Sequence, residues 1–156
     1  MQITDYLKKE CIHVDVPGTD KDEIIRELAN LLLTHHPDID VEEAMGGLFE
    51  RENVLSTGIG NGIAIPHARL KTCRDVYVAF GLLKEEANFE SLDNKPVKLV
   101  FLIFFPEDKV NLQLKILAKV SRILLKSGVT DRLLNAKTSD DIVAVFEDYE
   151  KNTDSQ

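Results

Sequence analysis

Residues 56–67 read STGIGNGIAIPH and deliver a single imidazole at the end of a constrained approach. Pro66 restricts Ile65 to an extended conformation and has a fixed φ of its own, which constrains where the backbone of His67 begins. Gly58, Gly60 and Gly62 let the preceding loop bend closely around the ring. Such a loop suits chemistry on the imidazole itself, in which a bulky anion approaches one ring nitrogen while the other is held as a defined tautomer. Taken alone, the same residues fit a hydrogen-bonded structural histidine equally well.

Other chemistries fit the stretch poorly. A dinucleotide fingerprint needs GxGxxG between a strand and a helix, whereas the spacing here is GxGxG and Ile63, Ala64 and Ile65 favour a strand. No GK[ST] follows to make a nucleotide P-loop. Ser56 and His67 lack the GxSxG elbow of an acyl-transfer site. The four histidines, His13, His35, His36 and His67, show neither HExxH nor HxxxH spacing, so neither a metal nor a cofactor is expected. Cys11 and Cys73 are far apart and have no CxxC spacing; they are expected to be reduced, buried hydrophobes.

The elements that must position this ring follow from the hydrophobic patterning. A short helix is expected over residues 3–9, then an alternating strand over residues 11–16 closed by Pro17 and Gly18. Asp20 with Glu23 forms a capping pair before the stripe Ile24, Ile25, Leu28, Leu31 and Leu32, and Asp40 with Glu43 opens a second helix that carries Leu48 and Arg51. Gly46 and Gly47 weaken that helix and point to close packing. Strands are expected over residues 63–65, 75–83 and 97–105, the last an apolar run buried on both faces. A long helix with Leu112, Ile116, Val120, Ile123 and Leu124 on one side runs from 110 to 127 with Gly128 as its stop, and helices over 130–136 and 139–149 complete the chain. The pattern predicts one α/β domain over residues 1–150, a mixed sheet flanked by helices on both faces, and a frayed tail over 151–156.

Charge narrows the partners. Lys and Arg number 19 against 27 Asp and Glu, a net charge of −8 that disfavours nucleic acid and favours a partner with a basic face. The ten-residue run VKLVFLIFFP is half the length of a spanning helix, so no direct membrane insertion is expected. The amino terminus has no secretory pattern, and together with the two unpaired cysteines this leads to the expectation of a cytoplasmic protein.

STGIGNGIAIPHAR, preceded by LFEREN and followed by FESLDNKPVKLVFLIFFPED and LQLKILAKVSRIL, resembles the fructose/mannitol-type IIA components of the phosphoenolpyruvate-dependent phosphotransferase system over nearly the whole chain. Within that family the stand-alone size and the LDNKPV segment look most like the nitrogen-regulatory branch. The resemblance implies a phosphotransferase component in which His67 accepts a phosphoryl group from phospho-HPr through Nε2. It also implies Arg51 as the cationic clamp; without it, Arg51 reads as a solvated helix arginine beside Glu50 and Glu52. The second histidine of the family corresponds to Asn111 in KVNLQL, a neutral substitution expected to alter the transfer rate. Ser56, Thr57, Gly58, Gly60, Gly62 and Pro66 form the supporting loop. Arg69, Lys71 and Arg74 are left out of the site as solvated charges.

Three functions compete. The first is a regulatory phosphocarrier read by a target protein; the second is a transport IIA that passes the group to a fructose- or mannitol-type IIB domain. The third is a binding module without phosphotransfer, which the intact Arg51, Pro66 and His67 argue against.

Overall fold

The computed structural model describes residues 2–54 and 58–154. Among these residues six strands form one mixed sheet: β1 (Leu7–Val16), β2 (Gly58–Gly60), β3 (Ile63–Ala64), β4 (His67–Leu70), β5 (Tyr77–Ala87) and β6 (Val97–Pro106). The order is β1-β5-β6-β3-β2, with β4 also paired to β6. β1 runs parallel to β5, and β5 antiparallel to β6.

Because β5 occupies one edge of β6, β3 and β4 follow each other along the other edge, both parallel to it. Ile63 pairs with Leu99, and His67 pairs with Ile103. Pro66 falls at the interruption between them; it has no N–H to give, but its carbonyl accepts from Ile103 N at 3.0 Å.

Among the described residues five helices cover the sheet: α1 (Lys21–His35), α2 (Val41–Val54), α3 (Val110–Leu124), α4 (Val129–Leu134) and α5 (Ser139–Asp154). α1 and α2 pack Ile24, Ile25, Leu28, Leu32, Ala44 and Leu48 with Val100, Leu102 and Phe104 of β6. On the opposite face, Ile116, Val120, Val129, Ile142 and Phe146 pack with Leu99, Phe101, Ile103 and Phe105. Successive β6 side chains thus enter two different cores, which is why the strand reads as an unbroken apolar run. Phe80, Phe101 and Phe146 meet edge to face, with centroids 5.7 to 6.2 Å apart. The expected mixed sheet with helices on both faces is the fold observed.

Several boundaries differ. The helix expected over 3–9 is only a 3-10 turn, Ile3–Asp5, because pairing of Leu7 with Val78 draws the chain into β1. α3 ends at Leu124, and Gly128, at φ +86°, caps α4 instead of stopping α3. α5 passes Tyr149 and runs to Asp154, into the stretch expected to fray. Its Glu150 is 1% exposed, ion-pairs with Lys119 at 3.3 Å and accepts from Ile3 N at 2.5 Å and Thr4 N at 3.1 Å. A buried carboxylate satisfied in this way ties the last helix to the first residues. No helix among the described residues is long and apolar enough to cross a membrane.

Candidate active site

His67 is the first residue of β4, and the face of α2 that crosses this strand sets what stands next to it. Residues 43, 47 and 51 recur every four positions, so they share one side of the helix. At the start of α2 the Glu43 carboxylate accepts from Lys71 N at 2.8 Å and from Thr72 N and Oγ1 at 3.2 and 2.6 Å. One turn later an added Cβ at Gly47 would lie 3.2 Å from the Ala68 Cβ, so this glycine lets the helix settle onto β4. A turn further on, Arg51 reaches the cavity that His67 lines.

Two expectations about α2 are corrected here. Asp40 Oδ1 does cap Glu43 N at 2.8 Å, but the Glu43 side chain does not return the bond; it holds the turn after β4, and Asp40 N donates to Thr72 Oγ1 at 3.0 Å. Only Gly47 is packed closely, since nothing lies within 4 Å of the Cβ position at Gly46.

The His67 ring is half-buried, and its Nδ1 lies 2.8 Å from the Ile65 carbonyl oxygen. A carbonyl can only accept, so Nδ1 carries the hydrogen and Nε2 keeps the lone pair. Phe105 presents itself edge to face at 6.3 Å. Burial is the largest influence on the ring and pushes its pKa down; Arg51 and Arg69 push the same way, against the Ile65 bond and Glu52, and the net pKa is lowered. The ring is therefore neutral at pH 7 with a free electron pair.

An NMR titration of the His67 ring is expected to give a midpoint below about 6.5. As pH falls below that value the unfolded chain takes up the proton first, so this residue lowers stability towards the folded midpoint. A midpoint at or above the ordinary value would contradict the burial and charge described.

The cavity has a volume of about 370 Å³ and is lined by Gly47, Glu50, Arg51, His67, Ala68, Arg69 and Gln113. His67 and Arg51 are brought together as expected. Asn111 is not in this lining: it is an exposed residue of the first turn of α3, and the α3 side chain that reaches the cavity is Gln113. Arg69, set aside above as a solvated charge, also lines the cavity. Both had a signal in the sequence. Residues i and i+2 of a strand share a face, which couples Arg69 to His67. Gln113 lies three and seven residues before Ile116 and Val120, a polar side chain in register with the buried stripe of α3.

The glycines serve the scaffold more directly than the ring. An added Cβ at Gly58 would lie 2.2 Å from Ser91 Oγ and 3.1 Å from Ser91 Cα; at Gly60 it would lie 3.2 Å from Asp93 Oδ2. Gly60 and Gly62 also have φ of +95° and +79°, conformations that side chains rarely adopt. Asp93 Oδ2 accepts from Asn61 N at 3.0 Å, so the turn over residues 91–96 locks the β2–β3 hairpin that precedes Pro66. Ser56 and Thr57 lie outside the described residues.

The remaining histidines are occupied elsewhere. His35 Nδ1 bonds the Leu31 carbonyl at 2.9 Å, and His36 stacks on Tyr77 at 3.8 Å. His13 is a half-buried residue of β1. Cys11 and Cys73 are free and buried, and burial pushes both thiols up to about 11. Among the described residues no group of three or more His, Cys, Asp or Glu could hold a metal ion.

Residues 5–149 match the family model described as phosphoenolpyruvate-dependent sugar phosphotransferase system, EIIA 2. The chain is 35% identical over 137 residues to a nitrogen regulatory protein of Pseudomonas aeruginosa, covering 88% of this chain and 89% of that one. It is 33% identical over 151 residues to the fructose-specific EIIABC component of Bacillus subtilis, covering 97% of this chain and 24% of that longer one. The crystal structure of the nitrogen regulatory protein IIA-Ntr from Neisseria meningitidis superposes with a TM-score of 0.82 at 27% identity, covering 92% of this chain and 98% of that one. The chain belongs to the EIIA 2 family of the phosphoenolpyruvate-dependent sugar phosphotransferase system.

Proposed function

We propose that the protein is a cytoplasmic phosphocarrier in which His67 accepts a phosphoryl group from phospho-HPr, and that it acts as a regulatory IIA of the nitrogen type. The observation that carries this reading is the 2.8 Å bond from Nδ1 to the Ile65 carbonyl, which leaves Nε2 as the nucleophile of a neutral ring beside Arg51. In the transfer, the Nε2 lone pair forms a bond to phosphorus as the donor's N–P bond breaks, and the electron pair of that bond returns to the donor ring. Each ring keeps its own N–H hydrogen. The phosphorylated His67 ring gains positive character at Nδ1–H, which the Ile65 carbonyl meets. A planar guanidinium at Arg51 pairs with two phosphoryl oxygens at once, and Arg69 adds a second positive charge to the same wall.

The regulatory output follows from the charge change. Phosphorylation puts an anion where the unmodified cavity presents two guanidiniums, and a target that reads this face distinguishes the two forms. The 35% identity to a nitrogen regulatory protein supports that destination. A transport role, passing the group to a IIB domain, is supported by the 33% identity to a fructose-specific EIIABC component.

The reading is tested by intact mass after incubation with phosphoenolpyruvate, enzyme I and HPr, kept away from acid. One added phosphoryl group that depends on HPr is expected. No addition to folded protein, with HPr itself phosphorylated, would overturn it.

A further inference from the structure

We infer that the cavity where the starts of β1 and β5 meet the end of α1 binds a small organic cation, an alkylammonium or a guanidinium, between tyrosine rings and two aspartates. The cavity has a volume of about 310 Å³, enough for such a ligand. Tyr77, the first residue of β5, and Tyr6, which precedes β1, supply its rings. His36 at the end of α1 stacks on Tyr77 with 3.8 Å between centroids, which adds a third ring. Asp5 and Asp75 stand in the same lining, and the buried Cys11 completes it. Tyr77 and Ala68 pair with Phe104 from opposite sides of β6, so this cavity lies level with His67 but beyond β6, and no residue lines both cavities.

The charges select a cation. Each aspartate accepts one backbone N–H, Asp5 from Gln2 at 3.0 Å and Asp75 from Val76 at 2.8 Å, and neither is in an ion pair among the described residues. Their field reaches the rings: burial first, then Asp75 and Asp5, raise the Tyr6 pKa. Burial, Cys73, Asp75 and Asp38 raise that of Tyr77 against a smaller effect of Arg74. Lys8 also lines the cavity, but its ammonium is not among the charges that move either phenol. Burial and then His35 hold the His36 pKa below its ordinary value, so this ring is uncharged at pH 7. An aromatic face attracts a cation, and a carboxylate beside it supplies the counter-charge. A metal ion fits poorly, since it asks for more oxygen ligands than two carboxylates provide and no described group of three or more His, Cys, Asp or Glu could hold one.

The test titrates the unphosphorylated protein with butylammonium and with methylguanidinium, uses N-methylurea as the uncharged control, and follows backbone amide shifts by NMR. Saturating shifts at Tyr6, Val76 and Tyr77 with a Kd below about 1 mM at low salt are expected for the cations and none for the urea. Asp75→Asn keeps an acceptor for the Val76 N–H but removes the charge, and binding about tenfold weaker is expected. Tyr6→Leu removes one ring and is expected to weaken binding by roughly three- to tenfold. N-acetylarginine methylamide separates two sources of the same chemistry: binding tighter than that of methylguanidinium assigns the site to an arginine side chain of a partner, and equal or weaker binding assigns it to a free amine or guanidine. Cation shifts no larger than those of the urea at about 10 mM, or a Kd that is the same in wild type, Asp75→Asn and Tyr6→Leu, overturn the inference. No phosphoryl donor is present, so that failure leaves His67 as acceptor, and a chain that takes up no phosphoryl group leaves this site standing.

Discussion

Replacing His67 with alanine is expected to abolish phosphoryl uptake while leaving the fold intact. Of the other residues around the cavity, Arg51 and Arg69 offer only hydrogen-bond donors, Gln113 is a neutral amide, and Gly47 and Ala68 carry no reactive group. Glu50 offers a carboxylate, whose negative charge repels the incoming phosphoryl group. The fold survives because β4 is held to β6 through its backbone, from the His67–Ile103 pair to the Leu70–Pro106 pair. The losses are the edge contact with Phe105 and the Nδ1–H bond to the Ile65 carbonyl, each worth about 0.5–1.5 kcal/mol, so a fall in Tm of roughly 2–12 °C is expected. Intact mass and a thermal melt on the same preparation check both halves. A phosphorylated His67→Ala protein would place the acceptor elsewhere.

Arg51→Ala is the second large effect. Loss of one preorganised charge donor at a site where charge develops costs about 10²- to 10³-fold in rate, and that range is expected for transfer to His67. Arg51→Lys should recover only part of it, because an ammonium offers a point charge where the guanidinium offers a planar fork. A second readout separates this role from a structural one. Arg51 is among the groups that lower the His67 pKa, so removing its charge raises that pKa and moves the acidic limb of the pH–rate profile to higher pH. The helix itself should persist, since a cation in its last turn contributes only about 0.3–1 kcal/mol. Rapid-quench transfer rates across pH test the expectation; an unchanged rate and an unmoved limb would remove Arg51 from the chemistry.

The parts of this site that were legible in the sequence are those encoded locally. Pro66 and His67 announce themselves within one loop, and the apolar run of β6 declares a strand buried on both faces. The parts that were not legible depend on the phase of elements distant in sequence. Asn111 and Gln113 are only two residues apart, but on a helix that is more than half a turn, and only the side in register with Ile116 and Val120 faces the sheet. Arg69 is exposed, and its place beside His67 depends on residues 67–70 forming a strand beyond the break at Pro66. The close neighbours of Gly58 and Gly60 belong to the turn over residues 91–96, more than 30 positions away, so no local signal marks what these glycines pack against. Glu43 was likewise diverted from its local cap by partners supplied from another part of the chain, Lys71 and Thr72.

The central claim is that the Ile65 carbonyl fixes the hydrogen on Nδ1 and leaves Nε2 of His67 as the acceptor. The measurement that tests it most directly is the ³¹P–¹⁵N coupling in ¹⁵N-labelled protein phosphorylated through HPr. Coupling to Nε2 of His67, with Nδ1 still carrying its hydrogen, is the expected result. Coupling to Nδ1, or to a nitrogen of any other residue, would contradict it.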